Sequence, residues 1–289
     1  MRKLRQRLRP RNRPRFKGPS FNRMLPNILT MLGLCAGLTG MRFALDDRFG
    51  AAVVAIAVAA AIDGMDGRLA RLLKATSRFG AEFDSLADFL CFGVAPSFVL
   101  YLWSLHTARG YGFIPCVLFT VCMALRLARF NASLETMDGH AGDGSAAHPA
   151  YTYNFFVGVP APAGAGLVLL PLFIGLEAHS MHWYGLLAVV QYPLFSAVAL
   201  VVVALLLVST LPVWNFKNFK VPAEYVLPLL LGTVLFALLL VADPWAGLAA
   251  GCLIYMAMLP FSVRSFRRLR LAAESAPEDI DAAVAPSVR

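Results

Sequence analysis

Four aspartates lie at helical spacing within residues 63–88, beside some of the most apolar sequence in the chain. Asp63 and Asp66 are three positions apart, and Asp84 and Asp88 are four apart; on an α-helix each pair shares one face. Two neighbouring helices would therefore aim four carboxylates at one point. Carboxylates so close together repel each other unless cations neutralise them, and hard oxygen ligands suit Mg²⁺ or Mn²⁺. The spacing predicts a site for two divalent ions, an arrangement that binds phosphates.

Small and basic residues between the two pairs fit a phosphate ligand. Gly67, Ala70 and Gly80 take up little space, so a ligand can approach the backbone closely. Arg71 supplies positive charge where an anionic group would lie. In the alternative interpretation the aspartates are only helix caps and partners of nearby arginines, without a metal. We favour the metal site because acids at membrane boundaries are functional as a rule.

The segments around these residues are apolar enough to cross a membrane. Of 289 residues, 58% are hydrophobic and 15% are charged, and the mean hydropathy is +0.65, whereas soluble domains carry about 25% charged residues. Several apolar runs approach or exceed the roughly 20 residues that a spanning helix needs. We predict an all-α, polytopic membrane helix bundle of about eight spans, with six or seven as alternative counts. The predicted spans are 25–45, 51–73, 86–105, 112–130, 153–176, 185–211, 225–242 and 245–263.

The distribution of basic residues predicts the orientation in the membrane. Net charge is +9, and residues 1–24 hold ten Lys and Arg with no acid. With eight spans and a cytoplasmic N-terminus, every Lys and Arg except Arg42, Arg48 and Arg109 lies on the cytoplasmic side, as the positive-inside rule expects. Both termini and the aspartates are therefore predicted to be cytoplasmic. The basic N-terminal segment, residues 1–24, offers only Phe16 and Phe21 for base stacking. This argues against nucleic acid and favours anionic lipid headgroups as its partner.

The aspartate region matches a known signature. Asp66-Gly67-x-x-Ala70-Arg71, then after eight residues Gly80-x-x-x-Asp84-x-x-x-Asp88, resembles the signature of the CDP-alcohol phosphotransferases, and Asp63 matches a further aspartate three residues earlier. The resemblance implies an integral membrane enzyme with a six-helix core, here with two added helices. It implies that all four aspartates hold two divalent ions and that Asp88 is the base for an acceptor alcohol.

The resemblance also implies a reaction. An alcohol oxygen attacks the lipid-linked phosphorus of a CDP-activated lipid, and CMP leaves. Gly67, Ala70, Arg71 and Gly80 would then border the CDP-lipid, the expected donor being CDP-diacylglycerol. Asn27 and Thr30, at the start of the first span, either contact the nucleotide as well or only shape the first helix.

Two arginines at the end of the fourth span bear on the acceptor. Arg126 and Arg129 share one helix face, where they either anchor the topology or bind an anion. Residues 125–131 resemble the same stretch of membrane-embedded phosphatidylserine synthases, as do 25–30, 158–162 and 209–217. This resemblance implies L-serine, whose carboxylate a guanidinium binds in a bidentate manner. Glycerol 3-phosphate, inositol or inositol phosphate are the alternative acceptors.

The remaining expectations concern the whole molecule. We expect a basic cytoplasmic arm at 1–24, a membrane-embedded catalytic domain at 25–263 and a cytoplasmic tail at 264–289, whose Ala, Pro and acidic content predicts disorder. The expected location is the bacterial inner (plasma) membrane, and the resemblance allows a homodimer. A divalent-cation transporter is the alternative from another class. It would need acids deep in several spans, and the other predicted spans carry almost no central charge.

Overall fold

The computed structural model describes residues 21–139, 155–214 and 223–274, which are almost entirely helical. Two three-residue strands, β1 (Phe155–Val157) and β2 (Pro212–Trp214), pair antiparallel with Phe156 opposite Val213. A π-helix (Phe89–Val94) and a 3-10 helix (Leu105–Gly112) interrupt the helices on either side of α4. The α-helices are α1 (Phe21–Leu45), α2 (Phe49–Leu72), α3 (Arg78–Asp88), α4 (Ala95–Trp103), α5 (Phe113–Gly139), α6 (Ala161–Ser180), α7 (Tyr184–Val190), α8 (Pro193–Val208), α9 (Ala223–Ala242) and α10 (Pro244–Glu274).

Seven helical segments of the described chain are long and apolar enough to cross a membrane, or eight if α7 and α8 form one bent span. The bend between these two helices is 52°. Pro193 starts α8, and a proline favours a helix start because it has no N–H to donate to the preceding turn. The protein is therefore a polytopic helical membrane protein, which confirms the predicted fold class and the approximate number of spans.

Three of the predicted boundaries that differ from the structure have a physical explanation. The third span begins at Arg78 and not at 86, because Ser77 caps α3 by accepting a hydrogen bond from the Gly80 N–H at 3.0 Å. The fifth begins at Ala161 and not at 153, since a strand and a turn at Gly158 precede it. Gly158 has φ +81, a conformation that favours glycine.

The third difference concerns the C-terminal end. α10 continues to Glu274, so residues 264–274, which were predicted as part of a disordered tail, are helical instead. This stretch is rich in Arg, Leu and Ala, which are strong helix formers. Residues 1–20 of the predicted arm and 275–289 of the predicted tail lie outside the described residues.

Close packing of α1 sets the position of the site. A Cβ at Gly33 would lie 3.3 Å from Cγ2 of Ile62 on α2, and a Cβ at Gly37 would lie 2.5 Å from the Cys91 sulfur in the π-helix. Small residues allow such close approach of membrane helices. α1 therefore lies against both α2 and the π-helix that follows α3, the elements that carry or adjoin the aspartates.

Candidate active site

The four predicted aspartates lie together in the structure. Asp63 and Asp66 on α2 and Asp84 on α3 each offer an oxygen, and these atoms lie within 4.8 Å of one another. Asp88, the last residue of α3, lines the same cavity as these three aspartates. All four line one cavity of about 10 Å³, which is room for about one water-sized sphere. Two helices thus direct four carboxylates at one small cavity.

The carboxylates fit a divalent cation. Oδ1 of Asp84 is buried and has no hydrogen-bond partner among the described residues, and such an orphaned group costs free energy. The negative charges of Asp63, Asp66 and Asp84 also repel one another at this separation. An ion held by these hard oxygens would remove both costs. The structure therefore contains a candidate metal centre at these three residues, with Asp88 beside it.

Thr30 orients one of these carboxylates. Its Oγ1 donates a hydrogen bond to Oδ2 of Asp66 at 2.8 Å and lies 3.1 Å from the carbonyl oxygen of Pro26. Thr30 is 7% exposed and Asp66 4% exposed, so water competes little for this bond. Partners of this kind fix the direction of a metal ligand. Thr30 was predicted as a residue near the CDP-lipid, and its described hydrogen bond is to the metal cluster.

A second, larger cavity adjoins the first. Its volume is about 230 Å³, and Thr30, Asp66 and Asp84 line both cavities. The metal centre therefore forms one wall of a space that is large enough for part of a ligand. The lining includes all six residues predicted to border the CDP-lipid, namely Asn27, Thr30, Gly67, Ala70, Arg71 and Gly80.

The two glycines in this lining act differently. A Cβ at Gly67 would meet no heavy atom of the described residues within 4 Å, so this glycine leaves open space beside Asp66. A Cβ at Gly80 would lie 2.9 Å from Oδ1 of Asn27 and 3.0 Å from Oγ of Ser77. Gly80 therefore allows α1 and α3 to converge at the cavity. Arg71 is exposed, and its Nε donates to the Gly67 carbonyl at 3.1 Å.

Arg126 and Arg129 make different contacts. Nε of Arg126 donates to the Val159 carbonyl at 2.6 Å, and its guanidinium lies within electrostatic range of Asp88. Arg129 donates to the carbonyls of Val208 and Ser209 at 3.1 and 3.4 Å, at the end of α8, where helix carbonyls lack partners in the helix. Arg126 thus lies within electrostatic range of one aspartate, Asp88, whereas Arg129 joins α5 to α8. Their predicted role in acceptor binding stays a prediction.

The turn at Gly158 explains the hydrogen bond between Arg126 and Val159. Its N–H donates to the Leu211 carbonyl at 2.9 Å, and a Cβ there would lie 3.2 Å from two carbonyl oxygens. The turn between β1 and α6 therefore presents the carbonyl of Val159 to Arg126. Residues 158–162 were noted in the sequence for their resemblance alone, and this contact supplies a physical reason for their composition.

One contact near the site could not be found from the sequence. The Asn131 side-chain amide donates to Oγ of Ser85 at 2.9 Å, and this hydroxyl lies 3.1 Å from the Ala81 carbonyl. Ser85 follows Asp84 directly, so the bond holds the C-terminal half of α5 against the metal-binding turn of α3. The two residues are 46 positions apart. The only signal in the sequence was a polar residue between two predicted ligands.

Comparison with known proteins identifies the class. The family model described as CDP-alcohol phosphatidyltransferase matches residues 23–193, more than half of the chain. A second, CDP-alcohol phosphatidyltransferase 2, matches residues 224–260. The chain belongs to the CDP-alcohol phosphatidyltransferase family, as its signature predicted. It is therefore an enzyme, and the cation-transporter alternative has no support.

Three relatives that share one name match most of this chain. The CDP-diacylglycerol–serine O-phosphatidyltransferase of Mycobacterium leprae is 39% identical over 262 residues, which cover 89% of this chain and 80% of that protein. The enzyme of the same name from Mycobacterium tuberculosis is 40% identical over 250 residues, 85% of this chain and 80% of that protein. That from Helicobacter pylori is 34% identical over 197 residues, 68% of this chain and 74% of that protein.

Proposed function

We propose that the protein transfers the phosphatidyl group of CDP-diacylglycerol to the hydroxyl of L-serine, releasing CMP and forming phosphatidylserine. The observation that carries this proposal is the shared wall of the two cavities. Asp66 and Asp84 belong both to the carboxylate cluster and to the larger cavity, so a nucleotide pyrophosphate in the larger cavity would meet a bound ion. The names of the relatives support serine as the acceptor.

Asp63, Asp66 and Asp84 would hold the metal, and Asp88 would complete the set for two ions of Mg²⁺ or Mn²⁺. When bound, such ions neutralise charge on the pyrophosphate and stabilise the departing CMP. Thr30 holds Asp66 in position for this role. Gly67, Ala70 and Gly80 leave room for the donor, while Arg71 and Asn27 present polar groups to it from the same cavity wall.

Asp88 is proposed as the general base. It accepts the proton of the serine hydroxyl while the serine oxygen forms a bond to the lipid-linked phosphorus. The bond from this phosphorus to the oxygen shared with CMP breaks, and that oxygen leaves with the electron pair. Arg126 lies within electrostatic range of Asp88, so a serine carboxylate on its guanidinium would keep the hydroxyl near the base. Arg129 is the second proposed acceptor-binding residue.

We also propose that the site and both termini are cytoplasmic, in the inner membrane of a bacterium. The larger cavity lies where α1 and α3 begin and α2 ends. Basic residues concentrate at this end, which supports a cytoplasmic orientation, and the relatives above are bacterial. A homodimer, and the absence of a nucleic-acid partner, remain predictions from the sequence.

An acceptor screen tests the proposal. The purified protein would be mixed with CDP-diacylglycerol and with serine, glycerol 3-phosphate, inositol or inositol phosphate, and CMP release and the lipid product would be measured. We expect release with serine, in the presence of Mg²⁺ or Mn²⁺, and loss of activity with a chelator. Release with a different acceptor alone would show that the serine assignment is wrong while leaving the family assignment intact.

A further inference from the structure

One face of α10 is directed into the bundle. Cys252, Tyr255, Leu259 and Ser262 follow one another at intervals of three and four, which places them on one side of a helix. Leu259 is 9% exposed and Ser262 2% exposed, and Tyr255 packs against the main core cluster. A Cβ at Gly166 on α6 would lie 3.5 Å from the Cys252 sulfur. Tyr255 therefore points toward the protein and away from lipid.

The hydroxyl of Tyr255 has no hydrogen-bond partner in the part of the chain that the structure describes. It is buried, and within the described ranges no group forms a hydrogen bond with it. A buried tyrosine hydroxyl usually finds a hydrogen-bond partner, because an unmet bond costs about 1–3 kcal/mol. A bound ligand that accepts a hydrogen bond from this hydroxyl would remove that cost. The position of the hydroxyl indicates which ligand.

The electrostatic surroundings of Tyr255 include an arginine. Its hydroxyl is within electrostatic range of the Arg126 guanidinium, which is in turn within range of Asp88. The described hydrogen bond of Arg126 uses Nε, which donates to Val159. No group of the described residues accepts a hydrogen bond from its two terminal nitrogens, whose donors can therefore serve a ligand. The surroundings of Arg126 therefore offer three kinds of group: a guanidinium fork, a neutral hydroxyl and a carboxylate.

We propose that Tyr255 is an acceptor-specificity residue, whose hydroxyl donates a hydrogen bond to the serine carboxylate held by the terminal nitrogens of Arg126. This inference rests on the proposed function. An ionised carboxylate has about four acceptor positions, so it can take both the guanidinium fork and one hydroxyl. A neutral donor adds direction to the binding without adding a second charge beside Arg126. With the carboxylate held in this way, the serine hydroxyl is directed to Asp88.

The proposal gives a role in acceptor selection to the hairpin that the consecutive helices α9 and α10 form. The main family match ends at residue 193, and a separate one covers 224–260. Tyr255 therefore lies outside the part of the chain that carries the metal signature. A residue from the hairpin that contacts the acceptor would let the hairpin select the alcohol while α2 and α3 carry out the common chemistry.

The test is the Tyr255→Phe variant of the full chain, which removes only the hydroxyl. We expect the KM for serine to rise about tenfold, the scale of one hydrogen bond to a charged group, with the KM for CDP-diacylglycerol and the melting temperature unchanged. Tyr225→Phe is the matched control, since this tyrosine lies in the same hairpin and is 62% exposed. That control should match the wild type in both KM values.

Two other outcomes would overturn the proposal. An unchanged KM for serine in Tyr255→Phe, or an equal rise in the KM values for serine and CDP-diacylglycerol, shows that the hydroxyl does not bind the acceptor carboxylate. The wild type is assayed first with the four acceptors, so that failure of the proposed function can be told apart from failure of the Tyr255 assignment. If it uses serine and the variant behaves like it, only the Tyr255 assignment is lost. If it uses only an acceptor without a carboxylate, both assignments are lost.

Discussion

The hydroxyl of Thr30 on α1 donates a hydrogen bond to Oδ2 of Asp66 on α2, at 2.8 Å. The two residues are 36 positions apart in the sequence. The bond makes α1 part of the metal centre, although α1 supplies none of the four carboxylates. Since an oriented ligand binds metal more tightly than a free one, the first helix should contribute to metal affinity.

Thr30→Val should therefore weaken metal binding without disrupting the fold. Valine keeps the shape of threonine but cannot donate to Asp66, and loss of such a partner costs about 10–100-fold in metal affinity. The measurement is the Mn²⁺ concentration that gives half-maximal CMP release, together with direct Mn²⁺ binding.

Thr39→Val is the matched control for this change. Thr39 lies on the same helix and donates to the carbonyl four residues earlier, Cys35, at 2.7 Å, but it is exposed and outside the site. The control should bind Mn²⁺ as the wild type does. An unchanged Mn²⁺ requirement in Thr30→Val would show that the hydrogen bond does not support the metal site.

Gly67→Ala should weaken binding of the CDP-lipid and leave stability intact. A Cβ at Gly67 meets no heavy atom of the described residues within 4 Å outside its own stretch of helix, so the added methyl group leaves the described packing unchanged and would clash with a bound ligand. We expect the KM for CDP-diacylglycerol to rise about tenfold, equivalent to about 1.4 kcal/mol.

Gly64→Ala is the control, because Gly64 has the same open surroundings on the same helix but does not line the cavity. Alanine suits a helix better than glycine, so both variants should fold. If Gly67→Ala and Gly64→Ala have the same KM for the donor, the larger cavity does not bind the CDP-lipid.

The metal signature could be predicted from the sequence because it is local. Asp63 and Asp66 share a face of one helix and Asp84 and Asp88 share a face of the next, so spacing alone brings each pair together. The hydrophobic runs likewise predicted the membrane bundle, since a span of about 20 apolar residues has few other uses.

The contacts that complete the site are not local. Thr30 to Asp66, Arg126 to Val159 and Asn131 to Ser85 each join residues more than 30 positions apart. They depend on how helices pack and on one glycine turn, which a periodic pattern does not specify. The start of α3 was missed for a related reason: Ser77 caps a polar first turn that hydropathy assigned to a loop.

Asp84→Asn and Asp88→Asn should fail at different steps. Asp84 contributes a buried oxygen without a partner to the metal cluster, so its amide variant should lose Mn²⁺ and, with it, affinity for the CDP-lipid. Asp88 stands beside the cluster as the proposed base. Its amide variant should lose at least about 100-fold in CMP release and keep most of its affinity for the donor.

Parallel measurements of Mn²⁺ binding, CDP-lipid binding and CMP release separate these two cases. Equal loss of donor binding in both variants would show that Asp88 acts mainly through the metal site and would remove the support for its additional role as base. Residual turnover in Asp88→Asn near that of the wild type would contradict the base role directly.

Arg126→Ala and Arg129→Ala should also have different effects, one on the KM for serine and the other on stability. Arg126 lies within electrostatic range of Asp88, so its loss should raise the KM for serine far more than that for CDP-diacylglycerol. Arg129 donates to two carbonyls at the end of α8, so its loss should lower stability by about 1 kcal/mol, seen as a lower melting temperature in detergent. We expect a smaller effect of Arg129→Ala on the KM for serine, because its donors are already engaged by α8. Equal increases in that KM with unchanged melting temperatures would instead show that both arginines bind the acceptor, as their shared helix face first indicated.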